Sequence, residues 1–283
     1  MSKNFNEIKV LDNFYQTSSF YPMPVVMVTT VSENGLTNVG SYSLCFPFGI
    51  ADEHYMMLIS RGDSNTSLNL MNNNKHCALN FIPYNKKFLK NAVCLGYPGE
   101  TTEQKQKDCR LKIVKTFRTD IGSGEVYPDV IEDAVQIFEC TWIDDKEKSH
   151  YGNDGGERHF LLKIDHIFMQ EKWAESLSKG SGFPNLPIDY GYRDGKHFWF
   201  ARHKSPYAEP IPKNKGIDVN SIKYEVQRLP YDLEWKDEAY MKLVKVPRVF
   251  LKRVLVSISE RAVSEEVRII TPELLDKYNE KKR

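Results

Sequence analysis

The sequence predicts a mainly β protein with added helices: a small antiparallel barrel followed by a small C-terminal helical domain. Three observations predict it. From Pro24 to His203, short runs rich in Val, Ile, Phe, Tyr and Thr alternate with Gly, Asn, Asp and Pro, the punctuation of short strands joined by turns. From Trp235 onward the apolar residues take helical spacing, with Ala239, Leu243 and Val246 on one face. The chain has 283 residues, more than the roughly 150 of one ordinary domain, so the two patterns have room to be separate modules.

The first pair of strands is the clearest. Pro24 to Val31 and Leu36 to Phe46 flank Ser32-Glu33-Asn34-Gly35, and Asn-Gly supplies the positive backbone angles of a tight hairpin turn. Further strands are expected at His54 to Ser60, His76 to Ile82, Val135 to Ile143, His159 to Gln170 and His197 to Arg202. Seven runs suffice for a small barrel, with the last closing the sheet. A helix is expected at Thr66 to Asn72, where Asp63, Ser64 or Asn65 can cap it directly after a strand. Lys86 to Asn91 and Thr102 to Leu111 read as surface helices, and the segment around Gly122-Ser123-Gly124 and Pro128 as an excursion over one end of the sheet. Ser205 to Asn220 carries Pro206, Pro210, Pro212 and Gly216 without apolar periodicity, the composition of a linker or strap. Beyond it, Pro247 suits a first helical residue before Val249-Phe250, Val254, Leu255 and Ile258. The expected organisation is therefore 1–204 barrel, 205–230 linker or strap, and 231–283 helical domain.

Composition removes several classes of function. Hydrophobic residues at 41% and charged residues at 27% are ordinary for a globular chain. The 39 Lys and Arg against 38 Asp and Glu leave a net charge of +1, so no global field favours nucleic acid or anionic lipid. The apolar run Pro24-Val25-Val26-Met27-Val28 stops at Thr29, far short of the ~18 residues of a membrane span. Met1 to Glu7 lacks the apolar stretch and cleavage site of a secretory signal, and a cytoplasmic address is expected. Cys45, Cys77, Cys94, Cys109 and Cys140 are odd in number, without Cys-x-x-Cys or metal-ligand spacing. They read as reduced, mostly buried thiols.

The usual nucleotide and hydrolase motifs are missing. The nearest phosphate-loop lookalike, Gly191-Tyr192-Arg193-Asp194-Gly195-Lys196, is one residue short and has no Ser or Thr after its Lys. Two segments remain. Ser60-Arg61-Gly62-Asp63-Ser64-Asn65-Thr66-Ser67-Leu68-Asn69 offers free amides at a helix start, hydroxyl and amide side chains and Arg61, a set suited to a phosphate monoester. Asn38-Val39-Gly40-Ser41-Tyr42-Ser43 offers small hydroxyls and edge amides for a flat heterocycle or a sugar chain. Taken alone, a well-capped helix and a polar strand face are the simpler account of both.

In order and spacing, residues 21–200 resemble the flavin reductase-like family, whose members fold as an FMN-binding split barrel. The matching stretches are Pro24 to Thr30, Asn38 to Ser43, Asn65 to Asn69 and Leu79-Asn80-Phe81-Ile82-Pro83. The resemblance implies that Ser41, Tyr42 and Ser43 line the isoalloxazine and ribityl chain, and that Ser60, Arg61, Asn65 and Thr66 hold the phosphate, with Asn69 one turn on. Downstream, Val135 to Cys140 looks like the family's strand with a Glu-Cys pair, and Arg158-His159-Phe160-Leu161-Leu162 like its histidine-bearing strand. That makes His159 the candidate catalytic residue on the substrate side. Lys163 stands where many relatives have glycine, and Glu157-Arg158 replaces their Gly-Asp, which weakens nicotinamide use more than FMN binding.

Trp235 to Ala239, Val246 to Phe250, Ser259 to Ala262 and Ile270 to Leu275 resemble the small helical domain that ends the larger catalytic subunit of light-independent protochlorophyllide reductase. This implies a docking or lid module, since nothing here supplies iron-sulfur ligands. Lys242, Lys245, Arg248, Lys252 and Arg253 form a basic cluster for DNA, an acidic protein or ligand carboxylates, although a solvated helix face is the simpler reading. The resulting expectation is a homodimeric FMN oxidoreductase that takes electrons from NADH or NADPH and passes them to free flavin, another small molecule or a protein acceptor. Two rivals are an FMN electron carrier of the flavoredoxin type and a non-enzymatic ligand-binding or regulatory module. Membrane and nucleic-acid partners are not expected.

Overall fold

The structure is a computed structural model that describes residues 5–49, 54–145, 156–192, 196–209 and 218–280. The middle of the Gly191–Lys196 run and much of the Ser205–Asn220 strap lie outside the described residues. The chain forms two compact units, Met1–Pro206 and Tyr207–Arg283.

In chain order the first unit contains α1 (Phe14–Thr17), β1 (Met23–Pro24), β2 (Val26–Val31), β3 (Thr37–Tyr42), β4 (Cys45–Gly49), β5 (Tyr55–Arg61), α2 (Asn65–Asn72) and β6 (His76–Phe81). There follow α3 (Lys86–Gly96), α4 (Thr102–Asp108), β7 (Ile113–Val114), β8 (Val130–Ile131), β9 (Gln136–Trp142), β10 (Glu157–Met169), α5 (Glu171–Lys179), β11 (Pro187–Tyr192) and β12 (Phe198–Arg202). Seven strands make one antiparallel sheet in the order β3-β2-β6-β9-β10-β5-β4.

That order and the connectivity together force the sheet to curl. Its two edge strands, β3 and β4, are consecutive in sequence and separated only by Ser43 and Leu44. Three peptide steps reach about 11 Å at most, whereas the edges of a flat seven-stranded sheet stand about 29 Å apart. The Ile59 amide donates to the Leu44 carbonyl at 2.9 Å, which ties the crossing segment to the far edge. The expected hairpin is present, with Gly35 at φ +76° and the Ser32 amide bonded to the Leu36 carbonyl at 2.9 Å. Its second strand, expected to run to Phe46, breaks after Tyr42 because that is where the chain leaves one edge for the other.

Alternation then divides the apolar residues between two cores. Val26, Val28, Met56, Leu58, Cys77, Leu79, Phe160 and Leu162 pack together inside the curled sheet. On the outer face, Met27, Val39 and Ala78 meet Leu89, Ala92 and Leu95 of α3, with Leu111, Val130 and Ile131 from the excursion. β2 is buried on both faces, Thr29 and Thr30 included, which explains the apolar run that opens it. One expectation is corrected here: the strand at 198–202 does not close this sheet. It pairs with β11 in a separate three-stranded sheet, β1-β11-β12, and the seventh barrel strand arises instead from the split of the 36–46 run. Neither α5 nor β11 was expected, since the polar face of α5 and the Gly-Pro-rich approach to β11 carry little periodic signal.

The second unit comprises α6 (Val219–Gln227), β13 (Glu234–Trp235), α7 (Asp237–Leu243), α8 (Arg248–Ser264), β14 (Ile269–Ile270) and α9 (Pro272–Glu280), with β13 and β14 paired in parallel. Ile222, Ala239, Leu243, Leu255, Ile270 and Leu275 share one core. The stretch 205–230 is therefore not a strap throughout: Asp218 caps α6 by accepting the Ser221 amide at 2.7 Å, and Ile222 is fully buried. Within the basic cluster, Lys242 is held by Asp276 and by the Pro272 carbonyl, so it serves this unit's own packing.

Candidate functional site

A cavity of about 760 Å³ opens in the first unit, within the range of small-molecule and cofactor sites. Its floor is the end of β3, one wall is the β5–α2 junction, and a second wall is the end of α3 with the loop that leads into α4. Residues of α1, β11 and β12 border the far end.

The β5–α2 junction is built by side-chain capping. Ser64 precedes α2 in an extended conformation and its Oγ accepts the Ser67 amide at 3.1 Å. The amides of Asn65 and Thr66, in the helix's first turn, have no acceptor within the helix. The same Ser64 Oγ lies 2.8 Å from Ser60 Oγ, and Ser60 donates to the Tyr42 hydroxyl at 3.1 Å. A chain of hydroxyls thus joins β3 to the helix start. Gly40 permits the close approach: a Cβ there would stand 2.9 Å from the Tyr42 ring and 3.2 Å from Thr66 Oγ1. Asn65 Nδ2 donates to the Glu100 carbonyl at 2.9 Å, fastening the junction to the second wall.

Charge is distributed unevenly around the cavity. Arg61 grips Asp63 through bonds of 2.8 and 3.0 Å, and the guanidinium holds the Asp63 carboxyl below the usual carboxylate range. Lys105 is only 9% exposed, and its Nζ donates to the Leu95 carbonyl at 2.8 Å. Burial lowers its pKa first, the Glu100 carboxylate opposes that, and Arg61 adds to it. At the far end, Ser43 Oγ donates to the buried Asp189 carboxylate, which also accepts the Gly191 amide at 2.7 Å. The phenol of Tyr15 has a raised pKa there, from burial first and then from Glu157 and Asp189.

Seven of the residues singled out from the sequence converge on this cavity: Ser41, Tyr42, Ser43, Ser60, Arg61, Asn65 and Thr66. Two do not reach it. Asn69 is buried one turn further along α2 and its Nδ2 donates to Thr30 Oγ1 at 3.0 Å, so it fastens the helix to β2. His159 stands on β10 in register with Ile59, which does line the cavity, but of β10 only Glu157 is among the lining residues. Sequence reasoning missed Lys105, Glu100, Asp189 and Tyr15. Each is isolated in sequence from the two segments it joins in space, and Lys105 reads locally as a solvated helix residue.

No family model matches the chain, and no curated protein matches it significantly. Solved structures do match. The FMN-binding protein from Thermus thermophilus, solved with bound p-hydroxybenzaldehyde, aligns with a TM-score of 0.52 at 16% identity, over 74% of this chain and 100% of its own. Flavoredoxin from Methanosarcina acetivorans gives 0.53 at 15% identity, over 75% of this chain and 98% of its own. The 2-nitrobenzoate 2-nitroreductase of Pseudomonas fluorescens gives 0.52 at 14% identity, over 68% and 86%.

The fold is the FMN-binding split barrel. At these identities the likeness is one of fold. The curled sheet explains why the floor and the opposite wall come from strands far apart in the sheet order: curling brings the end of β3 back against the β5–α2 junction. The donor set fits FMN chemically. Two free helix-start amides, the hydroxyls of Ser60 and Ser64 and a buried lysine suit a phosphate, and the Ser41–Ser43 edge suits a flat heteroaromatic ring.

Proposed function

We propose that this protein is an FMN-binding oxidoreductase of the flavin reductase type, taking electrons from NADH or NADPH and delivering them to free flavin or another acceptor. One observation carries the reading: the ring-type segment on β3 and the phosphate-type segment at the β5–α2 junction, chosen separately from the sequence, face one cavity of cofactor size in a split barrel. Bound there, FMN supplies reversible two-electron chemistry that no side chain of this cavity offers. The protein's own part is binding, orientation and electrostatics. Asn65 and Thr66 offer amides to the phosphate, and Ser60 and Ser64 present hydroxyls already ordered by the Tyr42 bond. The β3 edge orients the ring, with Ser43 held in place by Asp189.

We further propose a homodimer. Tyr97, Phe198 and Trp199, at 56%, 38% and 52% exposure, leave aromatic surface around and beside the cavity mouth that a second copy would cover. The visible spectrum of freshly purified protein, followed by anaerobic addition of NADH or NADPH, tests the main reading. Yellow protein that bleaches with NAD(P)H is the expected result; colourless protein that leaves FMN fluorescence unquenched refutes it. His159 is not among the cavity's lining residues, which favours a second reading in which FMN is retained but electrons come from a protein. Tight FMN retention through gel filtration without NAD(P)H turnover is its signature.

A further inference from the structure

The groups expected from the sequence do not supply the charge that a dianionic phosphate needs. Arg61 is committed to Asp63 at 2.8 Å, and the pair is open to water, with side chains 54% and 73% exposed. Together they carry no net charge, and water screens what field remains. Glu100 adds a carboxylate to the opposite wall, its Oε2 closed off from solvent and without a hydrogen-bond partner among the described residues.

Lys105 is the group that changes this balance. It lines the cavity, it is nine-tenths buried, and its Nζ is pinned by the Leu95 carbonyl near the C-terminal end of α3. An ammonium has three donors, and that bond uses one. A buried cation is stable when its remaining donors meet an anion, and it lies close enough to Arg61 and Glu100 for their charges to act on it. We propose that Lys105, not Arg61, is the principal cation of the phosphate site, and that Glu100 is the counter-charge that weakens that site's hold on the ligand. This rests on the flavin reading above and assigns within it the residue that separates a flavin phosphate from the unphosphorylated flavin. The competing explanation is that Lys105 only satisfies the end of α3.

The test is fluorescence titration of the full chain with FMN and, separately, with riboflavin, which shares the ring and ribityl chain but has no phosphate. Lys105→Gln is expected to weaken FMN by about 10- to 100-fold, the scale of one charge-assisted hydrogen bond, while riboflavin changes less than about threefold. Arg61→Gln is expected to cost FMN less than Lys105→Gln does, and Glu100→Gln to tighten FMN relative to riboflavin. Equal losses for both flavins in Lys105→Gln, or a larger FMN loss in Arg61→Gln, overturn the assignment. Should Lys105→Gln fail to fold, Glu100→Gln decides alone: an unchanged FMN-to-riboflavin ratio overturns it. A wild-type protein that binds both flavins equally removes the phosphate site and leaves the flavin reading standing, whereas binding of neither removes both.

Discussion

Ser64→Ala tests whether one hydroxyl both starts α2 and organises the cavity. Ser64 Oγ accepts the Ser67 amide at 3.1 Å and contacts Ser60 Oγ at 2.8 Å. Loss of a helix cap costs about 1 kcal/mol. Loss of a partly solvated hydroxyl bond costs about another 0.5–1 kcal/mol, so the first unit loses roughly 1.5–2 kcal/mol. Urea unfolding followed by tryptophan fluorescence reads this unit, because Trp142, Trp173 and Trp199 belong to it and only Trp235 to the other. With a urea slope of about 2 kcal/mol per molar, this unit's midpoint moves down by about 0.75–1 M. Ser64→Gly recovers most of the cap contribution by relaxing the backbone, but it does not restore the bond to Ser60. FMN affinity should therefore fall in both variants, and stability chiefly in the alanine one. An alanine variant whose midpoint moves by less than about 0.2 M refutes the capping argument. Unchanged FMN affinity in both variants refutes the claim that the ordered hydroxyls serve the ligand.

Other consequences are open to measurement. Gly40→Ala forces the Tyr42 ring or Thr66 aside, from contacts of 2.9 and 3.2 Å; a destabilisation of about 1–3 kcal/mol and weaker flavin binding are expected by urea titration and fluorescence. Glu139, 1% exposed beside Arg118 and Thr116, has its pKa raised above the ordinary 4.5, by burial first. The stability attached to its protonated form is complete below the unfolded value and is lost as pH rises through the folded one. Glu139→Gln should thus gain on the wild type as pH climbs above about 4.5, and a difference in melting temperature that is flat between pH 4 and 8 excludes this account. Arg118→Ala should destabilise by about 1–3 kcal/mol, because it removes the guanidinium that lies 3.9 Å from the buried Glu139 carboxyl and over the Tyr127 ring; a melt within a degree of wild type counts against it. Among the thiols, exposed Cys94 should react first with a thiol reagent, and buried Cys45, Cys77 and Cys140 only on unfolding. Burial raises the pKa of Cys45 and Cys140 further, and mass spectrometry of the modified peptides gives the order.

Local chemistry made a good part of this protein readable from its residues. The Asn34-Gly35 turn, the Ser64 cap and the apolar run of β2 each carry their signal within a few positions, because a turn, a cap and a two-sided burial depend on neighbours in sequence. The two cavity segments were legible for the same reason. The helix inside 205–230 was readable in principle, since Val219, Ile222 and Val226 sit three and four residues apart, but the surrounding prolines masked it.

What the residues alone determined is most of the barrel strands, the helices after β5 and β6, and the donor-rich character of two short segments. Only the tertiary structure decided that β3 and β4 are opposite edges of one curled sheet, that 198–202 belongs to another sheet, and that Lys105 and Asp189 face a cavity assembled around Ser41–Ser43 and Ser60–Thr66. Those facts depend on strand order and on burial against residues dozens of positions away. Sheet closure is a long-range balance of chain reach and buried apolar area, so no local window of sequence contains it.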